Sequence, residues 1–121
     1  MTEDEVLQNV CHFPVYYRTF NQSPIALIHG SGYLDMPQVL TRKRISEYLR
    51  SYPDLIADWE IWVEDARSAS CRKVDNGYAV RPGPAGKPII FTDKFDAWAE
   101  VIVRNIRHIA RIAKPKRSSP A

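Results

Sequence analysis

Residues 93–113 constrain the fold of this chain more than any other stretch. Phe95, Trp98, Ile102, Ile106, Ile109 and Ala113 recur at three- and four-residue intervals, the spacing that lines one face of an α-helix. Arg104, Arg107, His108 and Arg111 fall on a second stripe. A helix of this kind takes most of its stability from burying its apolar face, so the rest of the chain must supply a cover. Thr92 is placed to cap its start, and Phe91 before it can staple onto Phe95. Asp93 and Asp96 lie in the first turn, Arg111 and Lys114 at the end, each where the helix dipole favours its charge.

Upstream the period drops to two. Ser70–Val74 and Tyr78–Arg81 flank Asp75-Asn76-Gly77, and Asn-Gly between alternating segments is the strongest short hairpin signal. Pro82–Gly86 makes a second turn and Lys87–Phe91 a third strand, with Pro88 near its beginning or on an edge. Before the hairpin, Tyr52, Leu55, Ile56, Trp59, Trp62, Val63 and Ala66 keep a helical period over 53–67. Trp59–Glu64 also alternates as a strand would, but the helical period holds for longer.

Asp35, with Gln38 at the reciprocal position, offers a capping box for a helix over 36–51. Its apolar stripe is Val39, Leu40, Ile45, Tyr48, Leu49 and Tyr52, while Arg42, Lys43, Arg44 and Arg50 project elsewhere. Ser23 and Pro24 open a short helix through His29, which Gly30-Ser31-Gly32 stops. The aromatic and β-branched run Phe13–Phe20 reads as a strand. The expected fold is α+β: a small three-stranded antiparallel sheet, which the N-terminal strand at 13–20 could join as a fourth, packed against three helices. Trp59, Trp62 and Trp98, with Leu55, Ile102 and Ile106, are its expected core anchors.

At 121 residues the chain is long enough for one domain, expected over 1–113. Residues 114–121 read as a disordered basic tail, and the first few residues as frayed. The net charge of +3 is mild and sits largely in that tail, at Lys114, Lys116 and Arg117. The acidic start, Met1-Thr2-Glu3-Asp4-Glu5, is unlike a secretory signal, and no run is apolar for long enough to span a bilayer. The expected compartment is the cytoplasm, where Cys11 and Cys71 stay reduced; a bridge between them would require export.

Four patterns touch on chemistry. His29-Gly30-Ser31-Gly32 resembles the glycine-rich oxyanion loop of esterases, but the nucleophile elbow that loop serves is missing. Gly83-Pro84-Ala85-Gly86-Lys87 is a fragment of a phosphate loop with Pro88 where Ser or Thr belongs, and a strand follows it. Cys11-His12, His29, Cys71 and His108 lack zinc spacing. Glu60 and Glu64 are a helical pair of carboxylates that a solvated face explains. The expectation is therefore no catalytic residue, no cofactor and no metal.

What remains is charge. The helix over 53–67 carries Asp54, Asp58, Glu60, Glu64 and Asp65 outward, opposed to the basic stripe of the last helix. The first reading is a small cytoplasmic protein-binding module of the adaptor, immunity or inhibitor type. Its contact residues are Asp58, Glu60, Glu64, Asp65, Arg104, Arg107 and Arg111, and its partner another protein or a second copy. The alternative is a winged-helix-like regulator of nucleic acid. Residues 42–59 can be laid on a helix-turn-helix, with hairpin 70–82 and strand 87–91 as the wing. Pro88–Phe91 before Phe95 and Trp98 loosely resembles the end of excisionase-type readers, over too little of the chain to identify a family. Its second helix is acidic where the duplex demands cations, so contact would fall to Arg104, Arg107, Arg111 and the tail. A third reading is a small-ligand site or enzyme around Tyr16, Tyr17, His29 and the 83–87 loop. A membrane role is not expected.

Overall fold

Helix α6 (Lys94–Ala113) forms the axis on which the other elements pack. The protein was described from a computed structural model, which covers residues 1–65, 69–83 and 86–113, with the backbone alone at 64–65. The basic tail expected at 114–121 therefore lies outside the described residues. Trp98, Val101, Ile102, Asn105, Ile106 and Ile109 of α6 are all buried. Helix α3 (Pro24–Gly30), helix α4 (Arg42–Ser51) and a three-stranded sheet share the work of covering them. None of the helices is long and apolar enough to cross a membrane, among the described residues.

The sheet is antiparallel, in the order β1 (Ser70–Val74), β2 (Gly77–Arg81), β3 (Ile89–Phe91). Its register pairs Cys71 with Val80 and Lys73 with Tyr78, and then Tyr78 with Phe91 and Val80 with Ile89. Alternation puts Cys71, Tyr78, Val80 and Phe91 on the face that packs on the core. Gly77 opens β2 at φ +142°, and a Cβ there would run into the Phe91 carbonyl oxygen of β3. Only glycine combines that backbone angle with that approach. The fold is thus α+β with the expected three-stranded sheet.

The N-terminal half departs from expectation. Phe13–Phe20 is a helix, α2, and no fourth strand forms among the described residues. Its aromatics mark β propensity, but Phe13, Tyr16, Tyr17 and Phe20 also recur at helical spacing, and Pro14 sits in the first turn, where its missing N–H costs nothing. Packing decides between the two: Phe13 and Pro14 are buried on the helix side that faces the core. The first residues are not frayed either. Helix α1 (Glu3–Cys11) starts from a capping box in which Thr2 Oγ1 accepts from Glu5 N at 3.2 Å and Glu5 Oε1 accepts from Thr2 N at 2.9 Å.

The helix expected over 36–51 is two pieces. A 3-10 turn occupies Pro37–Val39, and α4 begins only at Arg42, capped by Thr41 Oγ1 rather than by Asp35. Val39 and Leu40, on either side of this break, are both buried in the core. Similarly, α6 is capped not by Thr92 but by Asp93, whose Oδ1 accepts from Phe95 N at 2.7 Å and Asp96 N at 3.2 Å. Ser23 caps α3 as expected, accepting from Ala26 N at 3.1 Å.

Helix α5 (Leu55–Asp65) settles the tryptophan segment as helical. Trp59 is fully buried and its indole Nε1 donates to the Cys11 carbonyl at 2.9 Å, tying α5 to the end of α1. Trp62 is partly buried, packed edge-on to Phe13 at 5.5 Å and to Tyr17 at 5.1 Å, and its Nε1 is buried without an acceptor among the described residues. Asn105 of α6 donates to the Ala69 carbonyl at 3.0 Å and so fixes the chain where it enters β1.

These contrasts predict an order of costs in urea denaturation. Trp59→Ala is expected to destabilise the fold by ~3–5 kcal/mol. Trp59→Phe should cost more than Trp62→Phe, because only the first removes a made hydrogen bond from a buried carbonyl. Equal losses for the two phenylalanine variants would refute the assignment. Gly77→Ala should lower Tm despite burying no new surface.

Candidate functional site

The sequence-derived contact residues do not form one surface. On α5, Leu55, Ile56 and Trp59 point inward. Asp58 falls on one flank of that stripe and Glu60 on the other, because residues two apart on a helix point in widely different directions. The outermost line is apolar: Ala57 and Ile61 are one turn apart, and Ile61 is 55% exposed. Asp58 is engaged, its Oδ1 accepting from Arg18 Nη2 at 2.6 Å. Glu60 is exposed and makes no ion pair among the described residues. The side chains of Glu64 and Asp65 lie outside the described residues.

On α6 the basic stripe is the one lane the other elements leave uncovered. Arg107, His108 and Arg111 are exposed. Arg104 is half-buried and donates through Nε to Glu100 at 2.6 Å. The acidic helix packs on α2 and β1, whereas α6 packs on α3, α4 and the sheet, so the two charged sets lie on different layers.

The cations of α4 are largely consumed in holding the fold. Arg50 Nη2 pairs with Asp93 Oδ2 at 2.7 Å and its guanidinium lies 4.9 Å from the Phe95 ring centre. That hydrogen bond holds the Asp93 carboxyl below the usual range. Arg44 donates to Glu3 at 2.7 Å, and Ser46 Oγ donates to Asp96 at 2.8 Å. Arg42 stacks over Phe91 at 5.2 Å and reaches Glu100 only at 3.6 Å.

The residues grouped as a ligand site do not converge. Tyr16 lines a cleft of about 360 Å³ with Phe13, Phe20, Leu27 and Asn9, but neither Tyr17 nor His29 enters it. Tyr17 lies on Trp62, His29 is exposed at the end of α3, and Lys87 is exposed just before β3. Residues 84 and 85 of the loop lie outside the described residues. Cys11 is buried and Cys71 half-buried, both as free thiols. Burial pushes both upward, Cys71 to about 11, which leaves them as thiols rather than nucleophilic thiolates at neutral pH.

What the structure assembles instead is an aromatic strip. His12 joins α1 to α2, closing the first helix with its N–H on Gln8 O at 2.9 Å and opening the second. Its ring stacks on Tyr16 at 5.8 Å and meets Tyr48 and Tyr52 edge-on at 5.7 and 6.1 Å. Tyr16 leads on to Phe20 at 5.5 Å, and Tyr48 packs on Tyr52 at 4.8 Å. Both ends of the strip face water: Phe20 is 58% and Tyr52 52% exposed. The pairs His12/Tyr16, Tyr16/Phe20 and Tyr48/Tyr52 are each four residues apart, a signal available in the sequence once 13–20 is read as a helix.

At the centre of the strip, His12 Nε2 and the Tyr48 hydroxyl share a hydrogen bond of 2.8 Å. Burial lowers the pKa of His12, and the Asp58 carboxylate pulls weakly the other way. Burial also raises Tyr48 to about 12, so its hydroxyl keeps its proton and can donate it to a neutral imidazole. Compared with protein-family profiles, with curated protein sequences and with solved structures, the chain matches none.

The lowered pKa fixes the sign of a pH effect. The folded state prefers neutral His12, so its contribution is complete above the ordinary histidine value near 6.5 and is lost as pH falls through the lower folded value. Wild-type stability should therefore drop on going from pH 7 to pH 5 by more than that of His12→Gln. Parallel urea titrations at the two pH values measure this, and identical drops would show that His12 does not titrate differently on folding.

Proposed function

We propose that this chain is a non-enzymatic protein-binding module of the adaptor, immunity or inhibitor kind, acting in the cytoplasm, with the aromatic strip as the centre of its contact surface. The observation that carries this reading is the exposure of Phe20 and Tyr52 at the ends of a connected row of rings. Large rings held by packing on one side and open on the other present apolar area at little entropic cost. Such anchors carry most of the energy of protein interfaces. The cleft beside Phe20 and Tyr16 is of a size to accept an apolar side chain. Tyr17, 41% exposed on α2, adds a further ring, packed on Trp62.

The charged residues act as rims that steer encounter. Asp54 and the Arg18–Asp58 pair border the aromatic surface on α5 and favour a basic partner, while Glu60 lies on the opposite flank towards β1. Arg104, Arg107 and Arg111 offer a second, basic rim, which in a self-associating form would meet the acidic flank of another copy.

Phe20→Ser with Tyr52→Ser is the direct test, because both rings are more than half exposed and their loss should leave the circular dichroism and Tm nearly unchanged. Proteins cross-linked to the wild type in its native extract should be lost with the double variant. A capture profile identical for the two proteins would remove the strip as a contact surface. Sedimentation across protein and salt concentration tests the self-associating form, which should weaken as salt rises.

A second reading is favoured by the open basic lane. Arg107, His108 and Arg111 make no ion pair among the described residues, and such a lane suits a phosphate backbone. A gel shift at low salt that disappears for Arg107→Glu with Arg111→Glu would support a nucleic-acid regulator, and no shift for the wild type would eliminate it.

A further inference from the structure

Strand β3 is an edge. It pairs with β2 on one side, and among the described residues nothing pairs with it on the other. It is short, and Pro88 precedes it, both common ways of blunting an edge. Yet Ile90 is 47% exposed and Ile89 is exposed beside it, so the edge offers apolar side chains together with main-chain groups. A cleft of about 470 Å³ runs alongside, between α4 and Phe91, with Arg42, Lys43, Glu47 and Asp96 in its walls.

The charges around this edge are mostly positive once internal pairs are set aside. Asp93 and Asp96 are engaged by Arg50 and Ser46, and Glu100 by Arg104. Lys43 and Lys87 are exposed and make no ion pair among the described residues, and Arg42 holds Glu100 only at 3.6 Å. On the other face of the sheet, Arg81 lies in the row next to Pro88, and Arg72 two strands across from Ile90. Neither forms an ion pair among the described residues. Against these cations Glu47 alone stands without an ion pair in the cleft, among the described residues.

We propose that β3 and the adjoining α4 cleft accept an extended acidic segment of a partner protein, which adds to the sheet as a fourth strand. Main-chain hydrogen bonds to β3 supply the ladder, and alternate side chains of the segment fall on the two faces of the sheet. Carboxylates on one face meet Arg42 and Lys43, and on the other Arg81; an apolar residue covers Ile90. A polyanion without amides could satisfy the cations but not the open edge, which is why a peptide suits this surface better than a nucleic acid. This surface is separate from the aromatic strip and does not depend on it.

The probe is a fluorescein-labelled peptide alternating valine and glutamate, with two controls: lysine in place of glutamate, and the acidic peptide N-methylated at alternate amides. The acidic peptide is expected to bind, to perturb the amide resonances of residues 89–91, and to lose about tenfold or more in affinity with Arg42→Glu and Lys43→Glu. The lysine peptide should not bind, and N-methylation should weaken binding by a similar factor while leaving charge intact. Phe20→Ser should leave this binding unchanged, which separates it from the strip. Absence of binding at millimolar peptide, equal binding of the N-methylated peptide, equal competition by single-stranded DNA of matched charge, or a dimer in which β3 is already covered would each overturn the proposal.

Discussion

Helix α6 is buried on nearly all sides, and that demand decides where every neighbouring element can lie. Trp98, Ile102 and Ile106 take the sheet, α3 and α4 as covers, and the lane through Arg107, His108, Arg111 and Ile112 is left to water. Burying residues of this size is worth a few kcal/mol each, so the cover cannot be partial in so small a domain. The clamp between α4 and the first turns of α6 follows from it. Arg50 on Asp93 and Ser46 on Asp96 are polar contacts that orient α4 once burial has brought it there.

The C-terminal half was readable because its signals are local. Asn76-Gly77 sets the hairpin, and a sustained helical period sets α5 and α6 to within a few residues. The N-terminal half resisted for two physical reasons. In Phe13–Phe20, composition and spacing point in opposite directions, and burial of Phe13 against the core settled a contest that propensity alone left to the strand. Around Val39 and Leu40, two apolar side chains had to reach the core from a segment that also had to start α4, and Thr41 gave the chain a fresh start. Thr2 and Glu5 hold the capping-box spacing within a terminus whose charge alone suggests fraying.

The charged residues taken as contacts were visible as residues but not as surfaces. A sequence shows that Asp58 and Glu60 are acidic; it does not show that Arg18 arrives from α2 to engage the first, or that the two flank opposite sides of one stripe. The aromatic strip was hidden for the converse reason. Its rings come from α2, the α1–α2 junction and the end of α4, and only the fold makes neighbours of His12 and Tyr48 across thirty-six positions.

The indole of Trp62 has a consequence for optics. Its N–H is buried without an acceptor among the described residues, and its ring meets Tyr17, which faces solvent. Trp59 and Trp98 lie in the interior, away from water. Of the three indoles, Trp62 therefore sits nearest the outside, with Trp59 edge-on behind it at 6.4 Å. Anything that settles over α2 would alter the surroundings of Trp62 first, giving the molecule a built-in optical gauge of occupancy that needs no attached dye.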